Sequence, residues 1–245
     1  FFLNKKKTIL LNLFLFNIYI LYKYMKISNI LQKWYNINKR NLPWRKTANP
    51  YYIWISEVIL QQTRVQQGIE YYQNFIREFP NIESLASTNK NKVLKLWQGL
   101  GYYTRAKNIY KSAGIICREH GGPIPDDPVK LRKLPGFGPY TVGAVLSIAF
   151  DKRHAIIDAN VRRVIMRILA LEGQANTQRD PEISVFLEKE MPGKNLRTFN
   201  QALMELGALV CRNREPLCLG CPVKAHCLGY KKGIQEIIPA PKKRI

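Results

Sequence analysis

The sequence is poor in acid. Seventeen Asp and Glu stand against 39 Lys and Arg in 245 residues, a formal net charge of +22. Such an imbalance bears on partners rather than on fold, and it selects a polyanion such as nucleic acid, or an acidic surface. The basic residues are dispersed, which excludes a single disordered basic arm as their source. A composition rich in Lys, Asn and Ile everywhere is the competing explanation of the excess. Strand-like runs bounded by turn residues are scarce, so the chain reads as all-α. Its length suits one large domain or two intimate small ones. Cysteine is also scarce, five in all, which excludes a disulfide framework.

A long apolar run is missing too. The stretch from Ile9 to Tyr22 is shorter than a membrane span requires and is broken by Asn12 and Asn17. Lysines precede it as in a signal peptide, but no small-residue cleavage site follows. The first Met is Met25. Residues 1–24 therefore read as a non-native or unstructured leader, and removing them takes away four lysines and no acid.

After a short amphipathic helix over 26–37, Leu42-Pro43-Trp44-Arg45 reads as an extended turn. Asn49-Pro50 then starts a helix, with Asn as cap and Pro at its first position. Tyr51, Ile55, Val58 and Ile59 form its apolar face. Glu57 lies off that face but among Ile53, Trp54 and Leu60. A carboxyl so surrounded is costly to ionise, which suits a general acid; a solvated Glu57, or one paired with Arg64, fits the same residues. The amides Gln61 and Gln62 follow, placed either to bond base edges or to face solvent. Further helices are expected near 66–78, 91–97, 104–119 and 127–133. Gly99-Leu100-Gly101-Tyr102-Tyr103 is a turn with two aromatics, fit for stacking on a base or for packing.

The stretch Leu134-Pro135-Gly136-Phe137-Gly138 joins two helices. Its glycines permit positive φ and close approach of a ligand, and free N–H groups at the next helix start attract an anion. A plain connection between packed helices is the alternative. Asp158 precedes the helical stripe Val161, Val164, Ile165 and Ile168, as an N-cap. Helix-start N–H bonds are expected to hold its carboxylate ionised with a depressed pKa. A neutral Glu57 and a charged Asp158 would divide the work of glycosidic chemistry, one protonating the leaving group and one stabilising an oxocarbenium-like centre.

Four cysteines, Cys211, Cys218, Cys221 and Cys227, are spaced C-x6-C-x2-C-x5-C. Four thiolates bind zinc or an iron–sulfur cluster, and the unmatched halves favour 4Fe-4S over zinc. Cys117 stands apart and carries no assigned role.

Three features in one chain, the helix-hairpin-helix with Asp158, Glu57 in SEVILQQT and the cysteine spacing, resemble the helix-hairpin-helix DNA glycosylase superfamily. The stretches SEVILQQT, GLGYY and FNQALMELGA (199–208) are similar to its adenine-removing branch. The resemblance covers about residues 26–240. It implies an all-α helix-hairpin-helix glycosylase fold, with a six-helix barrel over 43–153 and an iron–sulfur cluster domain built from 25–42 and 154–245. A DNA-binding cleft would lie between them. It implies hydrolysis of the N-glycosidic bond of adenine mispaired with 8-oxoguanine or guanine in double-stranded DNA, after the base is flipped out.

By the same resemblance, Glu57 protonates adenine at N7, Asp158 stabilises the sugar C1′ and Asn160 supports it. Trp44, Arg45 and Gln201 fall at base-pocket positions. Gln61 and Tyr102 fall where side chains enter the base stack, and Leu134, Pro135, Gly136, Phe137 and Gly138 match a phosphate-gripping turn. The four cysteines match 4Fe-4S ligands. Related bifunctional glycosylase/lyases carry a Schiff-base lysine two residues past the second hairpin glycine. Here that residue is Tyr140, and a phenol forms no imine, so the expected enzyme is monofunctional. Proteins of the adenine branch continue into a C-terminal Nudix-like domain that recognises 8-oxoguanine, whereas this sequence ends at Pro241–Ile245. The implied setting is a bacterial cytoplasm, associated with the nucleoid when bound to DNA, as a monomer with no membrane contact.

Overall fold

A computed structural model describes residues 25–241, so the expected leader at 1–24 lies outside the described residues. In chain order the helices are α1 (Ile27–Asn38), α2 (Pro50–Ile59), α3 (Val65–Glu78), α4 (Ile82–Ser87), α5 (Lys90–Leu96), α6 (Thr104–His120), α7 (Pro128–Arg132), α8 (Pro139–Ala144), α9 (Ala159–Leu169), α10 (Asp180–Glu190), α11 (Leu196–Leu209) and α12 (Leu228–Lys231). Among the described residues there is no strand, and the one extended pairing is an isolated bridge between Gln174 and Ala240. The all-α class read from the sequence holds. No described helix is long and apolar enough to cross a membrane.

The chain divides into two compact units. One is Arg40–Ile156 with Lys194–Asn200. The other is the described part of Phe1–Lys39 with Ile157–Gly193 and Gln201–Ile245.

In the first unit α2 is the central helix. Asn49 Oδ1 accepts the Tyr51 N–H at 2.9 Å and Pro50 sits at the first position, so the start is fixed by its cap. Every residue from Ile53 to Ile59 is buried, as expected of a helix apolar on all sides. The single face seen in the sequence therefore understates it, and Glu57 is only 5% exposed. Around it Phe75 packs edge-on to Phe79 and Trp97, and Trp54 lies 5.2 Å from Phe137 between ring centroids. Truncating a fully buried aromatic such as Trp97 to Ala costs roughly 3–5 kcal/mol.

Asp127 caps α7 by accepting from the N–H groups of Val129 and Lys130. The Leu134–Gly138 hairpin follows, and α8 then widens into a π-helical stretch, Val145–Ala149. The residues at 42–45 depart from the expected extended turn: Pro43–Lys46 winds into one 3-10 turn, with Arg45 N–H donating to Leu42 C=O at 3.0 Å. Helix α4, which the sequence reading left out, is held by a capping box between Asn81 and Ser84.

In the second unit α9 buries Val161, Val164, Ile165 and Ile168 as its stripe requires. Arg162 clamps α10 to it through two bonds to Asp180, at 2.7 and 2.9 Å.

Candidate active site and cysteine pocket

The first unit brings Glu57 and Tyr140 together. Tyr140 stands one residue into α8, and its hydroxyl donates to Glu57 Oε2 at 2.6 Å. The next residue, Thr141, receives the Gln61 amide at 3.3 Å. Gln61 and Gln62 lie just past the end of α2, where Gln62 has φ 58. Tyr102 has φ 48 and is 63% exposed. Two non-glycine residues in the left-handed region, both on surface turns, are the kind of outlier held for function.

The hairpin divides its five residues between core and surface. Leu134 and Phe137 are buried, Phe137 against Trp54, so any DNA contact by these two falls to their backbone. Pro135 is anchored through its carbonyl, which accepts from Ser112 Oγ at 2.8 Å. Gly136 has φ 81, and a Cβ there would come within 2.9 Å of Asn108 Cβ. Glycine is required at 136 on both counts. Gly138 corrects the sequence reading: its φ is −71, open to any residue, and a Cβ there would meet open space. What Gly138 leaves is room in front of the start of α8.

Trp44 is 4% exposed and lies edge-on to Tyr72 at 5.4 Å, so its ring belongs to the core. Arg45 donates from Nη1 to the Arg40 carbonyl at 3.1 Å. Gln201 belongs to the second unit, where its Oε1 accepts the Tyr35 hydroxyl at 2.7 Å.

Asp158 is the N-cap of α9. Oδ1 accepts the Val161 N–H at 2.6 Å and Oδ2 accepts from Asn160 Nδ2 at 3.1 Å. The sequence reading expected these bonds to depress its pKa. Instead burial raises it, outweighing the Val161 and Asn160 hydrogen bonds and the charge of Arg163. A one-turn cap is legible in sequence, but the desolvation that opposes it comes from distant residues. Glu57 and Asp158 belong to different units.

Arginines that sequence reasoning passed over tie this capped carboxylate to the cysteines. Arg163 Nη2 donates to Asn160 Oδ1 at 2.9 Å and to Gly207 C=O at 2.7 Å, and its Nε donates to Cys211 C=O at 2.8 Å. Gly207 must lack a side chain, because a Cβ there would sit 2.6 Å from Asn160 Cβ. Arg167, fully buried, donates to Ile238 C=O, Arg212 C=O and Asn213 C=O and lies 3.4 Å from Cys211 Sγ. A signal existed: Arg163 and Arg167 are spaced i, i+4 beside the apolar stripe of α9, where a solvated charge has no place.

Cys211, Cys218, Cys221 and Cys227 line a single pocket with Val164, Ile168 and Arg167. Among the described residues no three Cys, His, Asp or Glu side chains converge tightly enough to hold one metal ion. Four thiols around one pocket are a ligand set that either zinc or an iron–sulfur cluster could take. Burial raises the thiol of Cys221 to about 12 and raises Cys218 and Cys227 as well. Thiolates there need compensating positive charge, which Arg167 supplies in part and bound iron would supply in full.

Comparison with known proteins places this geometry among related ones. Residues 55–189 match the family model described as HhH-GPD superfamily base excision DNA repair protein. An adenine DNA glycosylase of Buchnera aphidicola subsp. Schizaphis graminum is 41% identical over 219 residues, covering 89% of this chain and 63% of that one. The chain spans 58–64% of the length of this and two further Buchnera relatives. Among solved structures, a thermostable thymine-DNA glycosylase superposes with TM-score 0.75 at 29% identity, over 84% of this chain and 95% of that one. A trapped endonuclease III–DNA covalent intermediate shares the fold, with TM-score 0.70 at 22% identity over 84% and 95%.

Proposed function

This chain belongs to the HhH-GPD superfamily of base excision DNA repair proteins, and from that premise we propose that it is a monofunctional adenine DNA glycosylase. It hydrolyses the N-glycosidic bond of adenine mispaired with guanine or 8-oxoguanine and leaves the strand uncut. The observation that carries the reading is the Tyr140–Glu57 hydrogen bond. The acid is buried in a dry helix, and a phenol stands where a lyase would need an amine.

The chemistry follows from the residues. Tyr140 fixes Glu57 Oε2, so the proton for adenine N7 rides on the other carboxyl oxygen, in a site that excludes water. Protonated adenine leaves with the bonding electrons, and positive charge develops at C1′. Asp158, ionised and oriented by Val161 N–H and Asn160, stabilises that charge. Water then attacks C1′ and gives up a proton to the now ionised Glu57, which restores the acid and yields an abasic sugar. Its raised pKa makes Asp158 an unusually basic carboxylate, which strengthens its attraction to a cationic centre once ionised.

Trp44 supports the pocket from within the core, while Arg45 and Gln201 supply polar contacts to the base. Gln62 contributes an amide to the base edges, and Gln61 and Tyr102 enter the base stack. The Leu134–Gly138 hairpin grips backbone phosphate through its N–H groups. The protein acts on double-stranded DNA as a monomer. Cys211, Cys218, Cys221 and Cys227 hold a 4Fe-4S cluster, which keeps the 211–227 loop folded and supplies none of the bond cleavage.

A second reading, removal of thymine from G:T, is favoured by the thymine-DNA glycosylase likeness. A duplex panel containing A:G, A:8-oxoguanine and G:T separates the two. Free adenine from the first two is expected. Release of thymine alone would replace the adenine reading with the thymine one.

A further inference from the structure

One guanidinium in the first unit caps the end of a helix and at the same time reaches a second turn. Arg105, on the first turn of α6, shares Nη1 among the carbonyls of Val58, Ile59 and Gln61. Its Nη2 reaches the carbonyls of Leu100 at 3.2 Å and Gly101 at 3.4 Å. The same group lies 5.3 Å from the Trp97 ring and 5.4 Å from the Tyr102 ring. Val58 and Ile59 end α2, the helix of Glu57, and their carbonyls have lost their intrahelical partners. Leu100 and Gly101 belong to the turn that carries Tyr102.

Both turns need such a tie. Gly99, Gly101 and Tyr102 have φ of 94, 68 and 48, and Gln62 has φ 58. Each turn has few bonds of its own, Thr63 N–H to Leu60 C=O at 3.3 Å in one, and Leu100 N–H to Trp97 C=O at 3.1 Å with Trp97 Nε1 to Gly101 C=O at 3.1 Å in the other, and left-handed residues persist only where their surroundings fix them. The next turns of α6 continue the pattern. Asn108 packs against the Gly136 position and Ser112 bonds the Pro135 carbonyl. One face of α6, at i, i+3 and i+7, thus abuts all three segments expected to meet DNA.

We propose that Arg105 is a positioning residue that sets the Gln61–Gln62 turn and the Tyr102 turn as one rigid wedge, and so drives extrusion of the target base from the duplex. It touches neither base nor sugar. Its planar fork bridges two sets of carbonyls at once, which a Lys ammonium on a flexible stem does not reproduce. The inference rests on the glycosylase reading.

The test is single-turnover adenine release from two duplexes, one with an A:G pair and one with adenine opposite a tetrahydrofuran abasic analogue, where extrusion costs little. Arg105→Met is expected to slow release from A:G by at least about tenfold and to leave the abasic-opposed duplex within about threefold of wild type. Arg105→Lys is expected to fall between the two on A:G. Adding Arg105→Met to Tyr102→Ala is expected to slow the A:G reaction no further, since both remove the same wedge. Thermal melting of each variant checks folding, and the Lys variant serves if the Met variant does not fold. Equal slowing on both duplexes, or an effect that adds to that of Tyr102→Ala, overturns the positioning role. Wild type that releases no adenine from A:G sinks the glycosylase reading instead.

Discussion

The Tyr140 hydroxyl donates to Glu57 Oε2 at 2.6 Å, across 83 residues of sequence. The bond joins the helix after the hairpin to the central helix of its unit, so the start of α8 and Glu57 are tied by one contact. In the proposed enzyme, a tyrosine where an amine would make a lyase orients the acid.

Loss of that bond is the first prediction. Tyr140→Phe keeps the ring and removes the donor to the neutral carboxyl, an interaction of about 0.5–1.5 kcal/mol. The expected result is a fall in single-turnover adenine release of roughly two- to tenfold, with DNA affinity changed little. Unchanged release would show that Glu57 is oriented by something else.

Asp158 links activity to stability. Burial raises its pKa in the folded protein, so the folded state holds its proton more tightly than the unfolded chain. The charged carboxylate therefore costs stability above the raised value, and that cost disappears as pH falls through it. Asp158→Asn does not ionise. It is expected to melt above wild type in mildly alkaline buffer, with the gain vanishing in acid, while adenine release is lost. A variant less stable than wild type at every pH would mean that the hydrogen bonds from Val161 and Asn160 outweigh burial.

Arg163 ties Asn160, Gly207 and Cys211 together. Arg163→Met leaves three acceptors without their donor, at a cost of about 3 kcal/mol or more. Melting is expected to fall by roughly 6–12 °C, and adenine release to fall with it because Asn160 no longer holds Asp158. Calorimetry of the purified variant reads the first effect, and release at a temperature where it remains folded reads the second.

Protein purified without oxygen is expected to be brown, with broad visible absorption and four irons per chain's worth of bleaching when a chelator and oxidant are added. Bleaching is expected to weaken DNA binding by loosening the 211–227 loop. Colourless protein that retains zinc would replace the cluster with a zinc site.

Much of the fold was legible because its signals are local. Asn49-Pro50 and Asp158 each start a helix by their own chemistry, and the HhH-GPD architecture follows from the hairpin between α7 and α8. The legible part ends where tertiary context decides. That Trp44 packs edge-on to Tyr72 is not announced by its sequence neighbours. Gly138 reads as a second flexible glycine but has an ordinary backbone. The pKa of Asp158 moves opposite to its cap because burial is not a local property. Arg105 gave no signal at all, since its partners are backbone carbonyls, three of them more than 40 residues away, and any residue type presents a carbonyl.

The most direct test of the account is single-turnover adenine release from an A:8-oxoguanine duplex by wild type and by Glu57→Gln, with binding of the same duplex measured in parallel. The account predicts free adenine and an alkali-labile, otherwise intact strand from wild type. From Glu57→Gln it predicts no detectable release despite near wild-type binding. Full release by Glu57→Gln would contradict it.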